Sequence, residues 1–385
     1  MTTQTFHRDS FTWLAYILLA FYGYFLNILG PITPFLKDEL NLSYTVSSLH
    51  FTAFALGILL VGLAGHALVR RNGRWRCLWI GAFGMSCCVL ILLAGRSPIM
   101  TISAAFLMGL VGSLILVIVP SSLSDLHGEY RAVALSEANV VASLVSMIAP
   151  LMVGWCTGLP GGWRLALGIA ALSPIVLRLV FKKSDASFSN SAQESSASTE
   201  EPLPVLYWVY WSALVLSVSV EFCMIFWSAD YLETHLGMQK ANAAQAVSLF
   251  LGGMIVGRLA GSRLVQRFST HWVTICSVLI AAVGFILFWM TKSASFGMAG
   301  LFITGLGVAS LYPLILSLAI GSAPNNTVQA SVRATLASGF AILILPLSLG
   351  WLADWLGIWK AYSIVTVLLI GILLLMLATK RKSKT

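Results

Sequence analysis

The sequence predicts an all-α membrane protein with twelve transmembrane helices arranged as two pseudo-symmetric six-helix bundles. Three observations predict this fold: the apolar composition, a series of long apolar runs, and a repeat that relates the two halves of the 385 residues.

The composition is typical of a chain whose main solvent is lipid. Apolar residues make up 58% of the chain and charged residues only 10%, whereas soluble proteins carry about 25% charged residues. This balance excludes a disordered chain, a coiled coil and almost any soluble enzyme of this length. The net charge of +9 does not indicate nucleic-acid binding, because the basic residues do not gather in one segment. We therefore expect a lipid bilayer, and no nucleic acid, as the surrounding partner.

Twelve apolar runs are long enough to cross a membrane, since about 20 apolar residues span ~30 Å of hydrocarbon. Backbone polar groups must be paired within the bilayer, so each run is predicted to be a helix. The predicted spans are 12–34, 46–69, 76–95, 98–120, 132–156, 163–181, 205–229, 241–262, 272–291, 295–320, 330–353 and 360–378.

The charged residues predict the topology. With the N-terminus inside, 17 of the 23 Lys and Arg residues fall in inner segments, so the positive-inside rule places both termini in the cytoplasm. Residues 184–204 are rich in Ser, Glu and Ala, which predicts a flexible cytoplasmic linker between bundles 1–183 and 205–385. The six cysteines show no CxxC spacing, and we expect neither a metal nor a cofactor.

An offset of 196 residues relates the two halves without gaps from the second span to the start of the twelfth. Leu63-Ala64-Gly65 matches Leu259-Ala260-Gly261, and the register continues through Gly, Pro and Trp positions. Shared apolar composition does not align these three residue types across several spans. The halves are therefore predicted to be parallel repeats, an arrangement that suits alternating access at a central cleft.

The segment after the second span contains Gly65, Arg70, Arg71, Gly73 and Arg74. It resembles the Gly-x-x-x-Asp-Arg-x-Gly-Arg loop of major facilitator superfamily transporters, although the Asp is missing and the spacing from Gly65 to Gly73 is one residue longer. The resemblance covers the whole chain. It implies a carrier fold in which spans 1, 4, 7 and 10 line the cavity, and it places the three arginines at a cytoplasmic gate.

Two acidic residues lie within the apolar runs. Glu221 is 16 residues into the seventh span, where a charged group costs roughly 2.5–3.5 kcal/mol on insertion scales. Because burial favours the neutral carboxyl, such a residue can take up and release a proton. We interpret Glu221 as the proton-coupling residue or as a substrate contact. The alternative is a protonated Glu that stabilises helix packing through a hydrogen bond.

The second acid, Glu137, is one turn inside the fifth span, and Arg333 is its counterpart in the repeat. In the family fold, spans 5 and 8 face each other across the inner half of the cleft, and Arg258 is at the inner end of span 8. We therefore expect Glu137 and Arg258 to pair when the inner side is shut. With Arg333 and the loop arginines they form the predicted cytoplasmic gate.

The cavity-lining spans of the family carry the remaining candidates. The predicted substrate-binding residues are Tyr24, Asn27, Glu221, Trp227 and Tyr312. With so few charges among them, a neutral or mildly polar organic solute, or an amphipathic compound, is the expected cargo.

These residues predict a monomeric, proton-coupled secondary carrier of the bacterial inner membrane, and not an enzyme. Two alternatives stay open. One is an efflux antiporter for drugs or amphipathic metabolites, and the other is a membrane sensor that keeps the fold without transporting a solute.

Overall fold

The structure, a computed structural model, describes residues 7–182, 202–324 and 327–380. Within these ranges every regular element is helical, which confirms the predicted all-α fold. Most of the predicted linker, and the basic residues after Lys380, lie outside the described residues.

The order of the helices follows the predicted spans. In the described residues the helices are α1 Ser10–Leu40, α2 Tyr44–Asn72, α3 Arg74–Ala94, α4 Pro98–His127, α5 Arg131–Cys156, α6 Arg164–Ala171, α7 Ser173–Val180, α8 Val205–Thr234, α9 Lys240–Leu264, α10 Thr270–Met290, α11 Ala294–Val308, α12 Leu311–Gly321, α13 Thr327–Leu356, α14 Ile358–Ala361 and α15 Ser363–Lys380.

Eleven helical stretches of the described chain are long and apolar enough to cross a membrane. The sixth predicted span is occupied by two short helices, α6 and α7, which meet at Leu172. Pro174 lies at the start of α7, and it lacks the N–H that would continue the hydrogen bonding of α6. The tenth span is likewise divided between α11 and α12 at Ala309 and Ser310.

The contacts divide the chain into two compact units. Of the described residues, one unit comprises 7–28 and 53–182, and the other comprises 29–52, 202–324 and 327–380. The boundary therefore passes through α1 and α2. The connected ends of these two helices pack with α8 and the helices that follow it.

Glycines at repeat-related positions allow the same close helix contact within each unit. A Cβ added to Gly109 on α4 would collide with the carbonyl of Phe54 on α2. A Cβ added to Gly305 on α11 would collide with the carbonyl of Phe250 on α9. These pairs are related by the 196-residue offset. The sequence repeat thus coincides with a repeated packing contact, as expected where small residues let membrane helices approach closely.

Candidate functional site

An opposite-charge pair joins α8 and α9. Glu221 Oε1 lies 3.9 Å from an Arg258 guanidinium nitrogen, and the two side chains are 18% and 45% exposed. At this distance the groups attract each other electrostatically but do not form a hydrogen bond. Sequence analysis singled out both residues but did not place them together. The pair offers a carboxylate that can bind a proton beside a cation that can bind a polar or anionic group.

A second and more deeply buried pair lies where α1 meets α8. The Lys37 ammonium donates to Asp230 Oδ1, with Lys37 13% exposed and Asp230 fully buried. The same ammonium lies 4.1 Å from the centroid of the Tyr44 ring on α2. We call Lys37, Asp230 and Tyr44 the Lys37 cluster. It holds the α1–α2 connection against α8 through a fully buried carboxylate and a largely buried ammonium group.

Asp354 on α13 caps the first turn of α2. Its carboxylate accepts from the Tyr44 N–H at 2.7 Å, from the Thr45 N–H at 2.8 Å and from the Thr45 hydroxyl at 2.5 Å. The first N–H groups of a helix have no partner within the helix, and a carboxylate at that end is also favoured by the helix dipole. An acid from another helix therefore fixes where α2 begins.

Lys240 adds a more exposed connection at the same end of the unit. It forms an ion pair with Asp38 of α1 and lies 3.5 Å from Glu233 of α8. Exposed ion pairs of this kind contribute about 0–1 kcal/mol. Most of the electrostatic attachment of the α1–α2 connection is therefore expected to come from the Lys37 cluster.

Trp227, a predicted substrate contact, is fully buried beside this cluster. Its indole N–H donates to the Pro346 carbonyl at 3.0 Å. Its ring centroid lies 5.6 Å from the rings of both Phe51 and Tyr44. In this arrangement Trp227 packs α8 against α2 and α13, and its proposed contact with a substrate stays a prediction.

Tyr24 and Asn27, the candidates on α1, both have protein partners within their own unit. The Tyr24 hydroxyl donates to the Ala166 carbonyl at 2.9 Å, and the Asn27 amide donates to Ser146 Oγ at 3.1 Å and to the Gly23 carbonyl at 2.8 Å. Both side chains are buried. They connect α1 to α6 and α5, and binding of a solute by either residue stays a prediction.

Glu137 forms a bidentate ion pair with Arg8, at 2.5 and 2.7 Å, and also accepts from the Tyr16 hydroxyl at 3.1 Å. The hydrogen bond to Glu137 raises the pKa of Arg8 above its ordinary value. The pair borders a cavity of about 310 Å³ lined also by Trp13 and Val140. Glu137 and Arg258 thus each have a partner within their own unit, and their pairing in another state of the protein stays a prediction.

The other predicted gate arginines differ in their surroundings. Arg74 forms an ion pair with Asp125 at 2.5 Å, and the Arg333 guanidinium lies 5.4 Å from the Trp208 ring centroid. Arg70 and Arg71 are exposed at the end of α2. Tyr312, the last predicted substrate contact, is half-buried near the start of α12.

Sequence reasoning missed Lys37 and Asp230 as partners. The predicted seventh span ends at residue 229, one residue before Asp230, whereas α8 continues to Thr234. The signal was available, because no Gly or Pro interrupts the sequence between Trp227 and Gly237. Without such a residue the helix is expected to continue past Asp230. In the described residues no group of three or more His, Cys, Asp or Glu side chains could hold a metal ion.

The long apolar helices define a polytopic membrane protein. The family model for the Major Facilitator Superfamily matches residues 15–239 and 209–385. The chain therefore belongs to the major facilitator superfamily, and it is an integral membrane transporter of that family.

Individual proteins support the same conclusion. An uncharacterised transporter of this family from Yersinia pestis is 24% identical over 89% of this chain and 89% of its own length. A glucose/galactose transporter from Brucella abortus is 26% identical over 90% of this chain and 88% of its own. Among solved structures, a bacterial homologue of the human lysosomal transporter Spinster has a TM-score of 0.80 at 13% identity, covering 96% of each chain.

Proposed function

We propose that this transporter is a secondary active carrier that moves a small organic solute by alternating access, with proton coupling through Glu221. The observation that carries the proposal is the Glu221–Arg258 pair on α8 and α9. A charge pair inside a membrane protein is expensive to maintain, and intramembrane ionisable residues commonly mark ion or substrate pathways.

The chemistry of this pair suits a coupled cycle. When Glu221 is ionised, the two charges neutralise each other, and the pair has no net charge. When Glu221 takes up a proton, Arg258 keeps its charge, since a guanidinium is not deprotonated in proteins. Arg258 can then donate hydrogen bonds to a polar group of the solute. Proton uptake and solute binding would therefore favour each other, which is the requirement for symport.

The relatives suggest which solutes to test first. The Brucella abortus relative, which aligns with 90% of this chain, is named as a glucose/galactose transporter. A hexose is a neutral polar solute, as expected from the small number of charged candidates. We accordingly propose a sugar-sized neutral solute as the first cargo to test and an amphipathic cation as the second.

The charge distribution supports a further part of the proposal. The excess of Lys and Arg in alternate connections supports a cytoplasmic location for both termini. We propose that the protein acts as a monomer in a bacterial inner membrane. In this orientation the Lys37 cluster lies toward the outer surface, and Arg8 and Glu137 lie toward the cytoplasm.

Transport in reconstituted vesicles tests the central claim. Wild-type protein should accumulate a labelled hexose when an inward proton gradient is imposed, and a protonophore should abolish the accumulation. Glu221→Gln should exchange labelled for unlabelled solute across the membrane but should not accumulate it. The amide keeps the size of the side chain and removes its titration. Glu129→Gln, which changes an exposed acid, is the matched control and should accumulate solute normally.

The outcomes separate the alternatives. Gradient-driven accumulation that is unchanged in Glu221→Gln would remove Glu221 from coupling. Proton-driven export of an amphipathic cation, without hexose uptake, would indicate an efflux antiporter. Ligand binding without flux of any tested solute would indicate a sensor. The missing Asp in the loop after the second span is the feature that keeps the sensor alternative open, because the family's cytoplasmic latch cannot form there in its usual way.

A further inference from the structure

The Lys37–Asp230 ion pair has features that the carrier mechanism above does not use. Asp230 is fully buried, and only 13% of the Lys37 side chain is exposed. The second oxygen, Oδ2, is also buried. Removing one member of a buried ion pair is strongly destabilising, since it leaves an uncompensated buried charge. The two groups are therefore stable in this position only together.

The pair lies at a junction where helices approach each other closely. A Cβ on Gly30 of α1 would collide with the backbone of α8 at Ile225, and a Cβ on Gly350 of α13 would meet the Tyr44 carbonyl at 2.8 Å. The surfaces of α1 and α2 are thus closely fitted to α8 and α13. The Lys37–Asp230 pair is the ion pair of this junction with the lowest exposure among those in the described residues.

We propose that Asp230 is a proton-operated latch that holds the α1–α2 connection against α8 and releases it when its carboxylate takes up a proton. The inference rests on the proposed function, in which the protein opens alternately to the two sides of the membrane. A proton from the solution on the Lys37 side binds a carboxylate oxygen of Asp230. The ion pair is lost, and Lys37 remains an ammonium ion and turns toward water. When the proton leaves, the pair forms again and the junction closes.

Several titratable and charged groups lie near Asp230. Tyr44 from α2 and Tyr362, between α14 and α15, interact electrostatically with the carboxylate, and Lys37 faces it from α1. On α8 itself, Glu233 is close enough to interact with it and is 21% exposed beside Lys240. The tyrosines and Lys37 titrate far above neutral pH in water. Asp230 is the group of this set whose protonation removes the buried ion pair.

His235 follows α8 and titrates near neutral pH in water, so a test of the latch must separate the two groups. Nine residues place Glu221 about 180° around α8 from Asp230 and ~14 Å along it, because each residue turns the helix by about 100°. The latch is therefore distinct from the Glu221–Arg258 pair. Transport need not be measured to observe it.

The rate at which an engineered cysteine reacts with a thiol reagent measures whether the latch is open. Thr33 precedes Lys37 by one helical turn on the same face of α1, and it is 5% exposed. A Thr33→Cys reporter, in a chain whose six native cysteines are replaced by serine or alanine, should react slowly with a membrane-impermeant maleimide. An Asn242→Cys reporter at an exposed position near the start of α9 identifies the accessible side. It also corrects for the effect of pH on thiol reactivity, so the measured quantity is the ratio of the two labelling rates.

Lowering the external pH from about 8 to about 5 should raise this ratio in the otherwise unmodified chain. Asp230→Asn should raise it by ~10-fold or more at high pH, since loss of a buried partner shifts the equilibrium strongly. Asp230→Asn should also remove the dependence on pH. Asp38→Asn changes the exposed neighbouring acid and should have a much smaller effect. The pH dependence should persist in a His235→Gln background.

The double variant Lys37→Asp with Asp230→Lys rebuilds the pair with its charges exchanged. It should restore slow labelling and the dependence on pH, which separates loss of the latch from misfolding of Asp230→Asn. Labelling that is unchanged by Asp230→Asn would overturn the proposal, as would a pH response that vanishes in His235→Gln. The proposed solute transport is tested separately, because an intact latch response without flux rejects the transport function alone. Flux that depends on Glu221, without a latch response, rejects the latch alone.

Discussion

Replacing Asp354 by alanine tests the most specific structural claim about α2, that its first turn is held by a side chain from α13. The substitution removes the acceptor of three hydrogen bonds, of 2.7, 2.8 and 2.5 Å, from the Tyr44 N–H, the Thr45 N–H and the Thr45 hydroxyl. Loss of a helix N-cap costs about 0.5–2 kcal/mol. Asp354 is exposed, so water can partly replace the lost acceptor. We therefore expect a loss of about 1–2 kcal/mol.

A loss of this size should lower the unfolding temperature by about 2–8 °C, at about 2–4 °C per kcal/mol for a domain of this length. The protein carries its own reporter, because Cys77, Cys88, Cys156 and Cys223 are buried. A thiol-reactive fluorescent dye should label these cysteines only as the chain unfolds. Asp354→Asn should fall between wild type and Asp354→Ala, since its amide keeps one acceptor oxygen.

Asp125→Ala is the matched control for this experiment. It removes an acid whose partner is Arg74 and whose side chain is 39% exposed. Exposed pairs contribute about 0–1 kcal/mol, so its unfolding temperature should stay close to that of wild type. The capping argument would be refuted if Asp354→Ala and Asp125→Ala unfolded at the same temperature.

Three further predictions follow from single positions. Glu137→Gln should lower the free energy of unfolding by no more than about 1 kcal/mol, because its ion pair with Arg8 is partly exposed; a loss above about 2 kcal/mol in the dye assay would contradict this. Gly305→Val should lower the free energy of unfolding by about 1–3 kcal/mol or prevent folding, since its side chain would collide with a backbone carbonyl of α9. The control Gly62→Ala meets no atom within 4 Å and should remain monodisperse on size exclusion. Burial lowers the pKa of His235 in the folded protein. Its contribution to stability is therefore present above about pH 6.5 and is lost as the pH falls below that value. The unfolding temperature of His235→Gln should depend less on pH over this range than that of the wild type.

Much of the fold could be predicted because the bilayer imposes a simple requirement. Each crossing needs a long apolar run with all its backbone groups paired, and these runs are visible in the sequence. The glycine repeat was also informative, since Gly57 and Gly109, with Gly253 and Gly305, mark contacts that exclude a Cβ. The break between α6 and α7 was not predicted, because the run 163–181 has a continuous apolar composition in spite of Pro174.

The charge partners were harder to predict, since a partner depends on which helices pack together and at what height. Glu137 was recognised as an unusual intramembrane acid, but its bond to Arg8 depends on where the segment before α1 lies. The predicted seventh span stops short of Asp230 because hydropathy falls before α8 ends. The hydropathy average that identifies a membrane span is hardly changed by a single buried acid in the last turn of the helix. Such an acid is identified only once the neighbouring helix is known to supply a cation.

The two acids of α8 have opposite relationships to their partners, and this difference bears on how one helix can serve two roles. Glu221 is separated from Arg258 by 3.9 Å and is 18% exposed. Glu221 can therefore exchange its partner for a proton, and Arg258 can exchange its partner for a polar group of a solute, without leaving an unpaired buried charge. Asp230 is fully buried against Lys37, and it can lose its partner only if the junction opens or the carboxylate is neutralised. Weak pairing suits a site that must bind and release at every turnover, and strong pairing suits a contact that must stay closed until a proton arrives. Because the two acids lie on opposite faces of α8 and ~14 Å apart, a direct electrostatic effect of one on the other is expected to be weak. Coupling between them would have to be carried by movement of the helix itself.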